Sequence, residues 1–173
     1  MCGCQPSSNL HARSMSKRSR AFLKKKIETK RKMTKFWMTL TNDENWDMIR
    51  LNGIYAVKSK KHYDQLNEGD KIVMYLIPKR ICALYEIKSI PSKQDWRFKN
   101  KEFKYYFDIK PNLILKNPLQ ISTKSTGKEI INNVSIFREA KRWGTVLMGR
   151  TIIEITGDDY DYVKKEMDKS EFV

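Results

Sequence analysis

Few side chains in this sequence could act as a nucleophile or hold a metal. The cysteines are Cys2, Cys4 and Cys82, and the histidines are His11 and His62. Cys2 and Cys4 are too close for an ordinary stabilising bridge, and Cys82 sits in an apolar run that reads as a strand. No disulfide framework is expected. A closed zinc site needs about four ligands, and neither histidine has a paired spacing with the cysteines. His62 lies in a polar turn beside Lys61, Cys82 has no histidine neighbour in sequence, and there is no Gly-rich phosphate loop or Asp-rich metal motif. The sequence therefore predicts no catalytic residue, no metal and no cofactor.

What it offers instead is positive charge. The net charge is +15, spread unevenly: residues 1 to 35 hold eleven Lys or Arg against the single acid Glu28, and the rest of the chain carries 24 basic against 19 acidic groups. A positive surface suits a polyphosphate partner, and excess charge also serves solubility alone. With 40% apolar residues in 173, one core is expected rather than two. No apolar run approaches the ~18 residues that span a bilayer, and the N-terminus lacks the apolar stretch of a secretory signal. The reading is a cytoplasmic monomer with no membrane partner.

Residues 1–32 begin small and polar and run into Lys17-Arg18-Ser19-Arg20 and Lys24-Lys25-Lys26. Such a stretch cannot bury a core of its own, so it is expected to be a disordered or loosely helical extension. Met33 directly precedes the first patterned strand and is expected to be the natural start, which makes residues 33–173 the domain.

From Phe36 the punctuation becomes regular. Phe36 to Leu40 reads as a strand. Thr41 and Glu44 have the spacing of a helix capping box ahead of a short helix through Trp46, Ile49 and Leu51, which Gly53 ends. Ile54 to Val57 is a second strand. A polar loop ending in Glu68-Gly69-Asp70 opens the strand Lys71 to Ile77, and Pro78-Lys79-Arg80 turns the chain into an antiparallel strand, Ile81 to Ile87. Pro91 to Glu102 reads as a loop, Phe103 to Leu115 as a strand, Lys128 to Phe137 as a helix, and Arg150 to Ile155 as the last strand. Gly157-Asp158-Asp159 then starts a helix with Lys164 and Lys165 nearer its negative end. Many short strands with a few short helices make an α+β, barrel-like domain.

Taken in order, Phe36-Trp37, Thr41-Asn42 with Trp46, Gly53-Ile54-Tyr55-Ala56-Val57, Glu68-Gly69-Asp70-Lys71, Lys141-Arg142-Trp143-Gly144, Leu147-Met148-Gly149-Arg150 and Ile153-Glu154-Ile155 resemble an EVE domain over about residues 33 to 163. The resemblance implies a PUA-like mixed β-barrel with short flanking helices, shared with YTH domains. It also implies a pocket in which a flipped-out base, methylated bases included, lies against aromatic side chains. YTH readers have a Ser-Asn pair after the first strand, an Asn shortly beyond, and a cage Trp in a Gly-Val-Trp strand. The matching places here are Thr41-Asn42, Asn45 and Tyr55, with one residue fewer in the turn. A second wall falls in the loop after Ile87, where Trp96 and Phe98 are candidates.

Physically the set is sensible. The Asn42 amide can give one hydrogen bond along a base edge and accept another, and a nearby ring supplies sequence-tolerant stacking. Lys58, Arg142 and Arg150 are the expected phosphate contacts, with Trp143 in the core. The partner class is nucleic acid, RNA or DNA, single-stranded or with the base flipped out. Other readings of the same residues stay open: Thr41 and Glu44 equally suit a cap, and alternation in Ile54 to Val57 does not say which face carries Tyr55 inward. Some PUA-like proteins of the ASCH pattern hydrolyse RNA or modified nucleosides, for which Lys58, Glu86 and Asp108 are the polar residues to consider. A protein-interaction module with a basic tether is the third reading.

Overall fold

After Phe36, every residue of β1 (Phe36–Thr41) is buried, because layers cover both faces of the sheet to which it belongs. The computed structural model describes residues 33–91, 103–121, 130–140 and 146–171. All of these but Met33 belong to one unit, Thr34–Val173. The elements after β1 are α1 (Asp43–Asn52), β2 (Ile54–Val57), α2 (Lys60–Tyr63), β3 (Lys71–Leu76), β4 (Arg80–Ser89), β5 (Tyr105–Gln120), α3 (Ile130–Asn133), α4 (Ser135–Arg138), β6 (Ile152–Ile155) and α5 (Gly157–Met167).

The strands form one sheet in the order β2-β5-β4-β3-β1-β6. Only β1 and β3 run parallel, with Phe36 opposite Lys71 and Thr41 opposite Leu76; the other neighbours are antiparallel. Side chains alternate across β1, so Met38 and Leu40 join Val73, Tyr75 and the α5 residues Tyr160, Val163 and Met167 on one face. Trp37 joins Ile72, Met74, Tyr85, Phe107 and the α1 residue Ile49 on the other. Two covered faces explain why β1 and β3 read as near-continuous apolar runs rather than alternating ones. Each large side chain fully buried in this way contributes about 1.5–3 kcal/mol.

The sheet curls. Edge strand β2 is at the far end from β6, yet the Tyr55 hydroxyl lies 2.7 Å from the Leu40 carbonyl oxygen in β1 and 2.8 Å from that of Thr151, just before β6. Side chains bridge the gap, and no β2–β6 ladder is formed among the described residues. The expected barrel is therefore a half-barrel.

Local chemistry sets the ends of the helices. Asn42 is extended, at φ −106° and ψ 173°, and caps α1 by accepting from the Asn45 N–H at 2.9 Å. In place of the capping box expected at Thr41 and Glu44, a single cap forms one residue later, at Asn42, because Thr41 is still held in the β1–β3 ladder opposite Leu76. Gly53 ends α1 at φ 62°, and a Cβ there would lie 3.2 Å from the Ile109 carbonyl oxygen, so both backbone and space call for glycine. At α5, Thr156 and Asp159 do form a capping box. The helix expected from Lys128 to Phe137 is instead two short helices broken at Val134. Asp159 takes the N–H and hydroxyl of Ser135, which fixes a new start there.

Candidate nucleic-acid interface

Because β1 and β3 are parallel, their C-terminal ends emerge side by side. The Ile77 N–H continues the pairing by donating to the Thr41 carbonyl at 2.8 Å. The chain then turns through a cis Ile77–Pro78 bond and a left-handed Lys79, at φ 59°. The Lys79 N–H donates to the Tyr75 hydroxyl at 3.0 Å, pinning the turn to the core. Opposite this turn, Gly149 is left-handed at φ 70° and the Arg150 N–H donates to Leu147 at 3.3 Å. Between the two segments lies a cleft of about 390 Å³. Its floor is apolar, from Leu40, Tyr75 and Pro78, and Lys79 and Arg150 bring cations to it.

The rim is exposed and partly apolar. Ile77 is 48% exposed and Met148 74%. Arg80 donates to both Asp43 carboxylate oxygens, at 3.0 and 2.8 Å, and to the Ile77 carbonyl at 3.1 Å, so it ties the start of α1 to the turn. No carboxylate lines the cleft among the described residues. Its volume is within the ~300–1,000 Å³ of small-ligand sites. An apolar floor with cations in its lining is suited to a flat group carrying negative charge.

The expected site residues are placed unevenly. Arg150 lines the cleft, and Thr41, which is buried, adjoins it through Leu40 and Ile77. Asn42 and Asn45 are exposed on the first turn of α1, and with Asn42 Oδ1 engaged by the cap, the Asn42 N–H₂ remains at the surface. Lys58 is exposed at the end of β2, its ammonium 5.2 Å from the Phe103 ring centre. Trp96, Phe98, Arg142 and Trp143 lie outside the described residues.

Tyr55 requires a correction. It was expected to offer a ring to a base, but it is only 3% exposed, packs on Phe107 at 5.6 Å, and places its hydroxyl between two carbonyls behind the cleft. All four residues of β2 are buried, so neither side of this strand offers a free ring. Burial drives the Tyr55 phenol well above its ordinary pKa, against smaller opposing effects of hydrogen bonds at Leu40 and Thr39.

Two contributors escape a reading of the sequence. Lys79 reads only as a turn residue, because the cleft it lines is formed with the distant segment Leu147 to Arg150. Asp70 reads as part of a loop motif, yet it is buried and accepts from the Lys35 N–H at 2.9 Å, Trp37 Nε1–H at 3.0 Å and the Asn67 N–H at 2.9 Å. The co-occurrence of Phe36-Trp37 with Glu68-Gly69-Asp70 was the available signal.

The residues considered for hydrolysis do not converge on the cleft. Glu86 is held by Lys71 and Lys110, whose hydrogen bonds lower its pKa, while Asp108 accepts from the Ser89 hydroxyl. Burial pushes the Cys82 thiol up to about 12, so it stays protonated and unreactive near neutrality. Among the described residues, no group of three or more His, Cys, Asp or Glu is arranged to hold a metal. No described helix is long and apolar enough to cross a membrane.

No protein-family model matches the chain. A UPF0310 protein of Pyrococcus horikoshii is 27% identical over 143 residues, 75% of this chain and 97% of that protein. A UPF0310 protein of Pyrococcus abyssi is 23% identical over 142 residues, covering 75% and 96%. Among solved structures, the YTH domain of Zygosaccharomyces rouxii MRB1, in complex with N6-methyladenosine RNA, matches with a TM-score of 0.58 at 14% identity, over 82% of this chain and 91% of that one. The Mmi1 YTH domain in complex with RNA gives 0.54 at 11% identity, over 79% of each chain. The chain has a YTH-like fold. In this YTH-like half-barrel the cleft occupies the end of the sheet where β1 and β3 finish. A protein of Agrobacterium tumefaciens extends the likeness to a bacterial chain, with a TM-score of 0.52 at 12% identity over 76% and 92%.

Proposed function

We propose that this protein is an EVE-type nucleic-acid-binding domain that holds a nucleobase of a single-stranded chain, methylated bases included, and performs no catalysis. The observation that carries the reading is the cleft: Lys79 and Arg150 both line it, beside an apolar floor from Leu40, Tyr75 and Pro78. Two neighbours of the same fold are solved with RNA, which favours RNA over other anions. In this reading Arg150 and Lys79 hold phosphates, with Arg142 and Lys58 extending the track. Thr41, Asn42 and Asn45 lie toward the base, and Trp96 supplies a further ring.

Polar groups choose the base, and cations supply the salt-sensitive affinity. Removing one cation that binds a phosphate should flatten the salt dependence by ~0.7 log unit on single strands. The basic stretch of residues 1–32 adds to that salt-sensitive part without choosing bases, so its deletion should flatten the slope and preserve base preference. The test is fluorescence anisotropy with matched single-stranded RNA and DNA, methylated and plain, across a salt series. Binding that weakens with salt and differs between bases is expected. Failure to bind any strand at low salt would overturn the reading.

A further inference from the structure

We propose that Tyr85 and Trp46 form a base-reading subsite beneath the first turns of α1, in which the Tyr85 hydroxyl hydrogen-bonds the edge of a nucleobase and the Trp46 ring stacks on it. This rests on the nucleic-acid reading above. Tyr85 lies in β4 opposite Ile72, is 1% exposed, and belongs to the core face that includes Trp37 and Phe107. Its hydroxyl is fully buried and has no hydrogen-bond partner among the described residues.

Other tyrosines show how the fold treats a structural hydroxyl. Tyr55 has carbonyl oxygens at 2.7 and 2.8 Å, and Tyr75 accepts the Lys79 N–H at 3.0 Å. Leaving a buried hydroxyl unpaired is destabilising, and phenylalanine would fill almost the same space without that cost. A buried hydroxyl that costs stability where it stands is suited to a partner that arrives from outside.

The covering residue fits this role. Trp46 is only partly buried and meets the Tyr85 ring edge-on, with centroids 6.2 Å apart at 78°. Helical spacing puts Asn42, Trp46, Ile49 and Arg50 on one side of α1, and burial of Ile49 in the same cluster directs that side toward Tyr85. The exposed Asn42 amide and Arg50 guanidinium thus flank Trp46 one turn before and one turn after it. A turn of the Trp46 side chain would open a path to the hydroxyl and leave an indole face beside it. Burial raises the Tyr85 phenol far above its usual range, outweighing the lowering effect of Arg50, so it is a neutral donor and acceptor at physiological pH.

The experiment compares wild type, Tyr85→Phe and Trp46→Ala in the full chain, by melting and by anisotropy. The probes are a mixed-sequence single-stranded RNA and the same strand with its bases removed. Tyr85→Phe should melt at the wild-type temperature or above it and bind the base-bearing strand ~3- to 10-fold more weakly, with unchanged binding to the abasic strand. Trp46→Ala should bind ~5-fold or more weakly, again on the base-bearing strand alone. Wild-type affinity of Tyr85→Phe for both strands would overturn the subsite and leave the cleft reading standing. Equal weakening on both strands, or a loss that follows only the unfolded fraction, would also overturn it. If wild type bound neither strand, the cleft reading and the subsite would both fall.

Discussion

The two ends of the parallel pair β1 and β3 are built oppositely. At their N-terminal ends, Asp70 is 1% exposed and three donors, from Lys35, Trp37 and Asn67, converge on its carboxylate. At their C-terminal ends, the chain turns outward through a left-handed Lys79, leaves Ile77 48% exposed, and sets two cations over an apolar cleft. The same strands and register join both ends, so the difference lies in where polar groups find partners. One end gathers its donors on a single buried carboxylate and holds the fold; the other carries Lys79 and Arg150 at an apolar cleft.

That contrast can be broken by substitution. Asp70→Ala leaves the buried Trp37 Nε1–H and two half-buried N–H groups unpaired, and since a buried unpaired donor alone costs about 1–3 kcal/mol, stability should fall by ~2–4 kcal/mol. Urea unfolding measures it, and the fraction that remains folded should bind nucleic acid normally. Arg150→Ala should do the reverse. Unfolding should shift by less than ~0.5 kcal/mol, while binding at low salt weakens by ~1.5–3 kcal/mol and the salt slope flattens. Similar losses of stability in both variants would erase the distinction between the two ends.

Tyr55→Phe gives a smaller and sharper test, because it keeps the ring and removes only the hydroxyl that links β2 to Leu40 and Thr151. A loss of ~0.5–1.5 kcal/mol in stability is expected, with base preference unchanged. Loss of base preference at full stability would restore Tyr55 to the site.

Much of the frame was legible because it is set by neighbours in sequence. Gly53 ends α1, Pro78-Lys79-Arg80 turns β3 into β4, and the acids after Gly157 open α5 through a cap at Thr156. What was not legible depends on pairing between distant segments. Thr41 could not be separated from a cap without knowing that Leu76 holds it in the sheet. The side chosen by Tyr55 could not be read, because both faces of β2 are covered. β5 runs past Leu115 to Gln120 and tolerates Pro111 and Pro118 because β2 pairs only with its first residues, so the side of the strand beyond them carries no described ladder.

The smallest expected effect is on acid stability. Burial alone would raise the Asp159 pKa, but hydrogen bonds from Ser135 and Thr156 outweigh it and hold the carboxyl below its ordinary value. A carboxylate lowered in the folded state stabilises fully above its unfolded pKa, near ~4, and that contribution is lost as pH falls through the lowered value. Glu86, lowered by hydrogen bonds from Lys71 and Lys110, acts in the same direction. Melting temperature should therefore fall below about pH 4, and Asp159→Asn should make that fall shallower while costing stability at neutral pH. An unchanged slope in the variant would show that Asp159 does not carry this linkage.

Hydrogen exchange of the full chain, read by mass spectrometry with and without saturating single-stranded RNA, tests the central claim most directly. The account predicts slowed exchange in the turn Ile77 to Arg80 and in Leu147 to Thr151, with little change around Asp70. Protection confined to residues 1–32, with none at the cleft, would contradict it.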